Sequence, residues 1–429
     1  MIIKILYALV FLSFLPANLL SFNTGFFQLS PFRVLVLLLP ILVIIDNFYR
    51  ERARSIIPRG ANAYAVKFHI FWFVYAFFTV IWAKSNTAWF RSVYFLGLGL
   101  LCVVIINMYF HNIENIKNAF LLLTLMTLVN TVLGWYEFLT QNYLFLEADR
   151  AFRYGLSKYP VSWFYNTNDF ATFLLIGIFA SYISLKLSKQ KVVKILSLLI
   201  IIGAIPLVFL TRSRANIVGL VISIVLFYFI MLKRKRRSLL SLYIILLITG
   251  LLVVGFVTSN IYESIFGGAS FDFEGSGSDS TRLNLLKNGG YFFLRTFGFG
   301  VGSGNIEYWM ERYAMYPTGG ITNIHNWWGE ILTAYGLVVF IGYLSLYWKL
   351  FSTCYQLSVS KTENKEVSVI ATFIACSLAG FVIGAVSSSS NISSEWLWVY
   401  MAVVIAFVGV TKNLESTNHR SVANNRIIQ

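Results

Sequence analysis

Long apolar runs separated by short polar segments recur along almost the entire 429-residue chain. Most runs approach the roughly 20 residues that a helix needs to cross the hydrocarbon layer of a bilayer. A helix also satisfies its own backbone hydrogen bonds, for which the bilayer interior offers no partners. The pattern therefore predicts an all-α polytopic membrane protein with about twelve transmembrane helices. We place these helices at residues 2–20, 32–48, 67–83, 90–108, 117–139, 168–187, 193–210, 214–232, 239–257, 326–352, 367–387 and 395–412.

Two connecting segments are much longer than a helical hairpin requires, and both fall on the same side of the predicted bundle. They run from about 140 to 167 and from about 258 to 325. The longer one opens with Gly, Ser, Asp and Glu over 267–280, which is typical of a loop. It continues with apolar residues at near-helical spacing over 281–297. We therefore predict one membrane-embedded domain, 1–429, with a large outer loop that contains helices at the membrane surface.

Composition agrees with a membrane protein, and the distribution of basic residues predicts its orientation. Hydrophobic residues make up 58% of the chain and charged residues 12%, against roughly 45–50% and about 25% in soluble proteins. The formal net charge is +16, and most basic residues fall on the side of the two chain ends. Because basic residues collect on the cytoplasmic side, both termini are predicted to be cytoplasmic and the 258–325 loop extracytoplasmic. The charge thus predicts contact with membrane lipids and no nucleic-acid partner.

The three cysteines, Cys102, Cys354 and Cys376, lie in or beside apolar runs. Their spacing is not typical of a disulfide framework or of a metal site, so no metal is predicted. The first apolar run has no obvious small-residue cleavage site after it and is predicted to remain as the first helix.

A basic turn interrupts the apolar stretch between Ile195 and Ile230, which is too long for one helix. The interruption reads Thr211-Arg-Ser-Arg-Ala-Asn216 and predicts a tight outer turn between two helices. Arginines are disfavoured in short outer turns. They either reach lipid headgroups or form an anion site, because a guanidinium group binds phosphate oxygens through two parallel hydrogen bonds.

His325 is the histidine that falls on the predicted outer side, directly before the helix that starts at Asn326. The N-terminus of a helix disfavours imidazolium, so His325 is predicted to be neutral and able to accept a proton. A lone interfacial histidine is often only a satisfied polar residue. Several arginines on the same side favour a catalytic role.

Alternating glycines precede this histidine, at Gly298, Gly300, Gly302 and Gly304. Glycine accepts backbone conformations that other residues avoid, so the run predicts a tight backbone path. It superficially resembles a phosphate loop, but it follows no βα unit and lies on the outer side. Nucleotide binding is therefore not predicted.

These motifs occur in an order that resembles a known family, the O-antigen ligase and polymerase superfamily of bacterial envelope glycan enzymes. The family usually has proline where Thr167 stands in the first motif. The motifs are Asn166-Thr-Asn-Asp-Phe-Ala, Thr211-Arg-Ser-Arg-Ala-Asn-Ile, Thr281-Arg-Leu-Asn-Leu-Leu, Gly298-Phe-Gly-Val-Gly-Ser-Gly-Asn and His325-Asn-Trp-Trp.

The resemblance implies a GT-C-like fold and an inverting, metal-independent glycosyl transfer without a cofactor. The reaction would occur on the extracytoplasmic face of the bacterial cytoplasmic membrane, from a glycan on polyprenyl diphosphate to a glycan or lipid acceptor. Carried over by position, Arg214 and Arg282 would hold the diphosphate and His325 would be the general base. The leaving diphosphate needs electrostatic stabilisation, and the attacking hydroxyl must lose a proton. The supporting substrate-binding candidates are Arg212, Arg295, Asn168, Asn326, Gly300 and Gly302.

Three functions remain open at this point. Many ligases of the family have a glutamate nine positions after the histidine, but this chain has Ala334 there, with Glu330 earlier and Tyr335-Gly336 following. This variant favours a polymerase of lipid-linked repeat units over a ligase that transfers a finished glycan. A flippase is less favoured, because a transporter should place charged residues along a path through the membrane interior. Other polysaccharide-assembly proteins are possible partners.

Overall fold

The computed structural model describes residues 2–16, 19, 21–23, 25, 28–49, 55–58, 60–145, 159–164, 166–235, 278–360, 364–388 and 391–427. Within these segments the regular secondary structure is helical apart from a small hairpin, in which β1 (Phe22–Asn23) pairs antiparallel with β2 (Gln28–Leu29). The helices are α1 Ile2–Ser13, α2 Pro31–Tyr49, α3 Ala63–Phe78, α4 Asn86–Tyr109, α5 Ile113–Thr140, α6 Thr167–Leu187, α7 Lys191–Leu210, α8 Arg214–Lys235, α9 Ser278–Arg295, α10 Ile306–Tyr313, α11 Trp327–Val359, α12 Lys365–Gly384 and α13 Glu395–Ile427.

The prediction of an all-α polytopic membrane protein is confirmed. Nine helices in the described residues are long and apolar enough to cross a membrane, namely α2 to α8, α11 and α12, with a 3₁₀ turn extending α3 to Ile81. The predicted span 395–412 corresponds to the shorter apolar helix Glu395–Thr411, whereas the predicted span 2–20 is observed only as Ile2–Ser13. The predicted span 239–257 lies outside the described residues, so the number twelve stays a prediction.

α12 forms the centre of the bundle and packs against α6, α8 and α11. The most apolar window of α12 is 83% buried, whereas that of α7 is 28% buried, so α7 presents much of its surface outward, as lipid contact requires. Small residues allow α8 and α12 to approach closely. A Cβ atom on Gly219 would lie 2.6 Å from the Gly380 carbonyl oxygen, and Ser223 Oγ donates to the Cys376 carbonyl at 2.8 Å.

The helices alternate in direction, so the candidate residues collect at one end of the bundle. We call the end that contains Arg214 and His325 the site end. A buried ion pair at this end, from Arg33 Nε to Glu395 Oε1 at 2.5 Å, joins the starts of α2 and α13. At the opposite end Arg234 donates to backbone carbonyls near the α11–α12 connection, at 2.6 and 2.9 Å.

The described part of the large predicted loop contains two helices and packs onto the bundle. The predicted surface helix 281–297 is observed as α9, which begins at Ser278, so the predicted loop 267–280 is wrong for its last three residues. Residues 267–277 lie outside the described residues. α9 buries Leu285 and Phe292 in a small core with residues of α10 and of the segment before α11. This packing fixes α9 against the start of α11.

Candidate active site

The predicted arginine turn is a three-residue connection between α7 and α8 at the site end. Thr211 and Ser213 are buried, whereas Arg212 and Arg214 are exposed, so the hydroxyl groups point inward and both basic side chains reach the surface. Arg212 has a φ of 54°, a left-handed conformation that is uncommon outside glycine. Its guanidinium group lies over the Tyr159 ring, 5.2 Å from the centroid. Backbone strain of this kind clusters at functional sites.

Asn168 binds the arginine turn to the start of α6. Ser213 Oγ donates to Asn168 Oδ1 at 2.7 Å, and Asn216 Nδ2 donates to the Asn168 carbonyl at 3.1 Å. Asn166 caps α6 by accepting from the Asp169 amide at 2.8 Å. Two motifs that are more than 40 residues apart in the chain therefore form one structural unit. In this unit the Asn168 side chain accepts a hydrogen bond that positions the turn.

His325 and Asn326 form the entry to α11. The Asn326 side chain accepts from the Gly329 amide at 3.0 Å, which caps the helix. His325 has a φ of 52°, and its amide donates to Asn323 Oδ1 at 2.7 Å. The structure thus gives Asn326 a capping function and holds His325 in a left-handed conformation directly before the helix.

Arg282 and His325 belong to one electrostatic environment. Burial of His325 and the nearby positive charge of Arg282 both hold the pKa of the imidazole below its usual value. A neutral imidazole can accept a proton from a hydroxyl group. Packing of α9 on α11 explains the proximity, since a Cβ atom on Gly289 would lie 2.7 Å from Thr333 Oγ1.

The arginine turn and the histidine segment both attach to the end of α12. A Cβ atom on Gly384 would lie 2.4 Å from Asn216 Oδ1, and the next residue, Ala385, accepts a hydrogen bond from the Trp327 amide at 3.0 Å. The starts of α6, α8 and α11 are consequently held around one point. Helix N-termini carry partial positive charge, which favours a nearby anion. Together with the arginines they make this end of the bundle attractive to a diphosphate.

The glycine run after α9 threads its backbone between α3, α4 and α11. Gly298, Gly300, Gly302 and Gly304 all have positive φ values, from 69° to 97°. A Cβ atom on Gly300 would lie 2.6 Å from backbone atoms of α11, so this position combines the left-handed conformation with a close approach. Trp82 Nε1 donates to the Gly300 carbonyl at 3.0 Å. The substrate-binding roles given to Gly300 and Gly302 stay predictions.

Gly336 breaks α11 beside the glycine run, and the sequence analysis did not predict this break. Its φ of 77° and ψ of −172° are non-helical, so carbonyl groups of the preceding turn lose their helical partners. The Thr333 and Ala334 carbonyls instead accept from the Val301 and Gly302 amides, at 2.8 and 3.0 Å. These two amides are therefore occupied by the protein and do not form a cradle for an anion.

Arg295 lies apart from the other candidates. It follows Arg282 by thirteen residues on the same helix, which corresponds to about 20 Å at 1.5 Å per residue. Its guanidinium group lies over the rings of Trp309 and Tyr313, 5.8 and 5.2 Å from their centroids. The structure does not bring Arg295 to His325, so its substrate-binding role has no geometric support.

Comparison with known proteins identifies the family. The sequence model of a family described as O-antigen ligase matches residues 197–344. The chain is also 31% identical over 416 residues to the teichuronic acid biosynthesis protein TuaE of Bacillus subtilis (strain 168). The aligned region covers 95% of this chain and 84% of that protein. This chain belongs to the O-antigen ligase family. It is therefore a multi-pass membrane enzyme of polysaccharide biosynthesis.

The region that matches the O-antigen ligase family coincides with most of the assembled site. It contains the arginine turn, Arg282, the glycine run and His325. Asn168 precedes the matched region, yet its hydrogen bond with Ser213 makes it part of the same unit. The family match thus includes most of the residues that the structure collects at the site end.

Proposed function

We propose that this chain polymerises lipid-linked oligosaccharide repeat units at its site end, on the extracytoplasmic face of the bacterial cytoplasmic membrane. The donor is a glycan chain on polyprenyl diphosphate, and the acceptor is a hydroxyl group of the next lipid-linked unit. Both chain termini then lie in the cytoplasm. This assignment uses the glycosyltransferase chemistry of the O-antigen ligase family and gives defined tasks to Arg212, Arg214, Arg282 and His325.

The proposed transfer is a direct displacement at the anomeric carbon. The acceptor oxygen forms the new bond to this carbon as the bond from the carbon to the diphosphate oxygen breaks. The polyprenyl diphosphate leaves with the bonding electron pair, and the acceptor proton passes to His325. Attack from the side opposite the leaving group inverts the anomeric configuration.

The charged residues divide this work. Arg214 and Arg282 neutralise the diphosphate as negative charge develops on it, which is the electrostatic stabilisation that a leaving group needs. Arg212 supports this binding from the adjacent turn position. The observation that carries the proposal is the position of His325, which lies close enough to Arg282 for the arginine charge to lower its pKa. A proton acceptor beside a cation is the pair that the displacement requires.

Donor binding by purified protein tests the arginine assignment. Arg214→Ala and Arg282→Ala should each weaken binding of the lipid-diphosphate glycan and slow transfer. Arg→Lys should restore only part of the affinity, because an ammonium group cannot form the two parallel hydrogen bonds of a guanidinium group. Arg295→Ala is the matched control, since Arg295 lies on the same helix as Arg282 but about 20 Å away. Native donor affinity in the Arg214, Arg282 double variant would contradict the proposal.

Turnover measured beside donor binding tests the base. His325→Ala should leave donor affinity close to the native value, because the arginines remain. The transfer rate should fall about 10²–10⁴-fold, the usual contribution of general acid–base catalysis. Near-native turnover would reduce His325 to an interfacial histidine.

Surface glycan from a deletion strain distinguishes the polymerase from a ligase of the same family. Accumulation of a single lipid-linked repeat unit on electrophoresis is expected for a lost polymerase. Long polymer retained on the lipid carrier would instead indicate a ligase that transfers finished glycan. The absence of Glu at position 334, where Ala334 stands, favours the first outcome.

A further inference from the structure

A cavity opens at the site end and is lined by residues on both sides of His325 in the chain. Its volume is about 430 Å³, within the roughly 300–1,000 Å³ of ligand pockets in proteins. The cavity is lined by residues from four segments. They lie within 85–95 at the start of α4, 304–307 before and within α10, 323–335 around the start of α11, and 392–393. None of the functions argued above uses this cavity.

The cavity reaches His325 through the chain segment that holds the histidine. Asn323 lines the cavity, and its Oδ1 atom accepts the His325 amide hydrogen bond at 2.7 Å. Trp327, two residues after the histidine, also lines the cavity. A molecule in the cavity would therefore contact residues on both sides of His325 in the chain.

The start of α11 separates this cavity from the donor side. Trp327, Glu330 and Ala334 line the cavity. Gly329 faces α9, the helix of Arg282, because a Cβ atom there would lie 2.9 Å from Leu286 Cδ2. With 3.6 residues per turn, successive side chains are about 100° apart, which places these two faces about 130° from each other. His325 precedes the first turn, at the junction of both faces.

A third face of the same helix turns toward α12. Trp328 Nε1 donates to the Val382 carbonyl at 2.9 Å. By the same rotation of about 100° per residue, Trp328 lies about 100° from the α9 face and about 130° from the cavity face. α12 in turn holds the arginine turn through Gly384 and Asn216. The donor residues thus occupy two faces of α11, and the cavity occupies the remaining one.

The lining of the cavity has the chemistry of a sugar site. Ser92 and Tyr335 line one wall and share hydrogen bonds with the buried Ser303, whose Oγ lies 2.9 Å from Ser92 Oγ and 3.2 Å from Tyr335 Oη. Trp327 and Phe95 add aromatic surface. Hydroxyl groups both donate and accept hydrogen bonds, and aromatic rings pack on apolar faces. A sugar presents hydroxyl groups at its edge and C–H groups on its faces, which complements this combination.

The charges of the lining disfavour a diphosphate. Arg91 contributes one positive charge to the cavity, whereas Glu307 and Glu330 contribute two carboxyl groups. A hydroxyl-rich ligand suits the cavity better than the anionic end of the donor.

We propose that this cavity binds the terminal sugars of the acceptor glycan and presents the attacking hydroxyl group to His325. The inference rests on the proposed function, because it assigns the second substrate of the same transfer reaction. Donor and acceptor then approach His325 from different faces of α11, as a displacement with a leaving group on one side and a nucleophile on the other requires.

Filling the cavity tests this assignment. Thr87 lines the cavity and is exposed, whereas its neighbour Asn86 is exposed and does not line it. Thr87→Trp should therefore raise the KM for the acceptor at unchanged donor affinity, and Asn86→Trp is the matched control. The acceptor probe is the lipid-free repeat-unit oligosaccharide released from the polymer of the strain that encodes this chain.

Removing a charge tests the polar contacts without filling space. Glu307 lines the cavity and Glu311 on the same short helix does not, although both are exposed. Glu307→Gln should raise the acceptor KM about tenfold, which corresponds to about 1.4 kcal/mol and to one hydrogen bond to a charged group. Glu311→Gln should leave the acceptor KM unchanged.

Binding of the same oligosaccharide is measured by saturation-transfer NMR, independently of turnover. Loss of the signal in Thr87→Trp but not in Asn86→Trp supports the acceptor site, even if the native protein shows no transfer and the proposed function fails. Native acceptor KM and an unchanged NMR signal in Thr87→Trp would overturn the inference. Weakened donor binding with an unchanged acceptor KM would assign the cavity to the donor and would also overturn it.

Discussion

Gly300→Ala should disrupt the contact between the glycine run and the break in α11. Gly300 has a φ of +82°, and a Cβ atom would lie 2.6 Å from the Ala334 carbonyl oxygen and 2.6 Å from the Gly336 amide nitrogen. Both are backbone atoms, so no side-chain rotation relieves the overlap. The loop has to withdraw, which breaks the hydrogen bonds that the Val301 and Gly302 amides donate to α11.

The expected cost has two separable parts. The left-handed conformation costs a non-glycine residue about 1–2 kcal/mol. Two lost hydrogen bonds at about 0.5–1.5 kcal/mol each add about 1–3 kcal/mol. The total of about 2–5 kcal/mol is large against the roughly 5–15 kcal/mol that stabilises a typical folded protein. Gly300 itself lies outside the spans and its loop can withdraw from α11, so membrane abundance should stay near native while glycan assembly falls.

Two other glycines separate the two parts of this cost. Gly319 has a φ of +60° with nothing within 4 Å of its ideal Cβ, so Gly319→Ala carries the strain without the overlap. Gly290 lies within α9 and also has open space, so Gly290→Ala carries neither. Thermal unfolding in detergent and electrophoresis of surface glycan should both rank Gly300→Ala as the most damaging of the three. Equal behaviour of Gly300→Ala and Gly319→Ala would refute the close-approach argument.

Two further predictions concern acid–base chemistry and sidedness. Arg282→Ala should move the acid limb of the transfer-rate profile to higher pH, because the Arg282 charge lowers the pKa of His325 and the neutral base is then lost at a higher pH. Arg282→Lys keeps the charge and should move the limb less; an unmoved limb in the alanine variant would exclude this coupling. In intact cells Arg212→Cys and His325→Cys should react with a membrane-impermeant maleimide, and Lys233→Cys should react only after permeabilisation. The three native cysteines are buried and should give little background labelling. Reaction of Arg212→Cys and His325→Cys on opposite sides would refute the topology.

The spans were predictable because lipid imposes one simple rule on them. A segment inside the bilayer has to be apolar and helical over its full thickness, so apolar length alone indicates each helix. The predicted span 367–387 is observed as Lys365–Gly384, and 214–232 as Arg214–Lys235. The first helix is an exception, since it ends at Ser13 rather than at residue 20. Its predicted second half includes Pro16, which cannot donate a helical backbone hydrogen bond.

The site was predictable only as a set of residue types at one end of the bundle. Arginines and a histidine on one predicted face indicated anion binding and proton transfer, but the sequence contains no distance between Arg282 and His325. That proximity depends on how α9 packs against α11, which involves small residues such as Gly289 and Gly329. The sequence also contains no distance between Arg282 and Arg295. It therefore predicts a supporting substrate-binding role for Arg295, which lies about 20 Å along the helix from Arg282.

The break at Gly336 shows what a helical pattern conceals. Residues 326–352 form one uninterrupted predicted span, and a single glycine costs a helix only about 1 kcal/mol, so Tyr335-Gly336 did not argue against continuity. The break is stabilised by partners outside the span, because the amides of Val301 and Gly302 satisfy the carbonyl groups that the break releases. The glycine run and the break therefore depend on each other. His325 lies directly before α11, and Arg282 lies on α9 directly before the glycine run. The contact between the glycine run and the break in α11 therefore helps to hold the proposed base and Arg282 in place relative to each other.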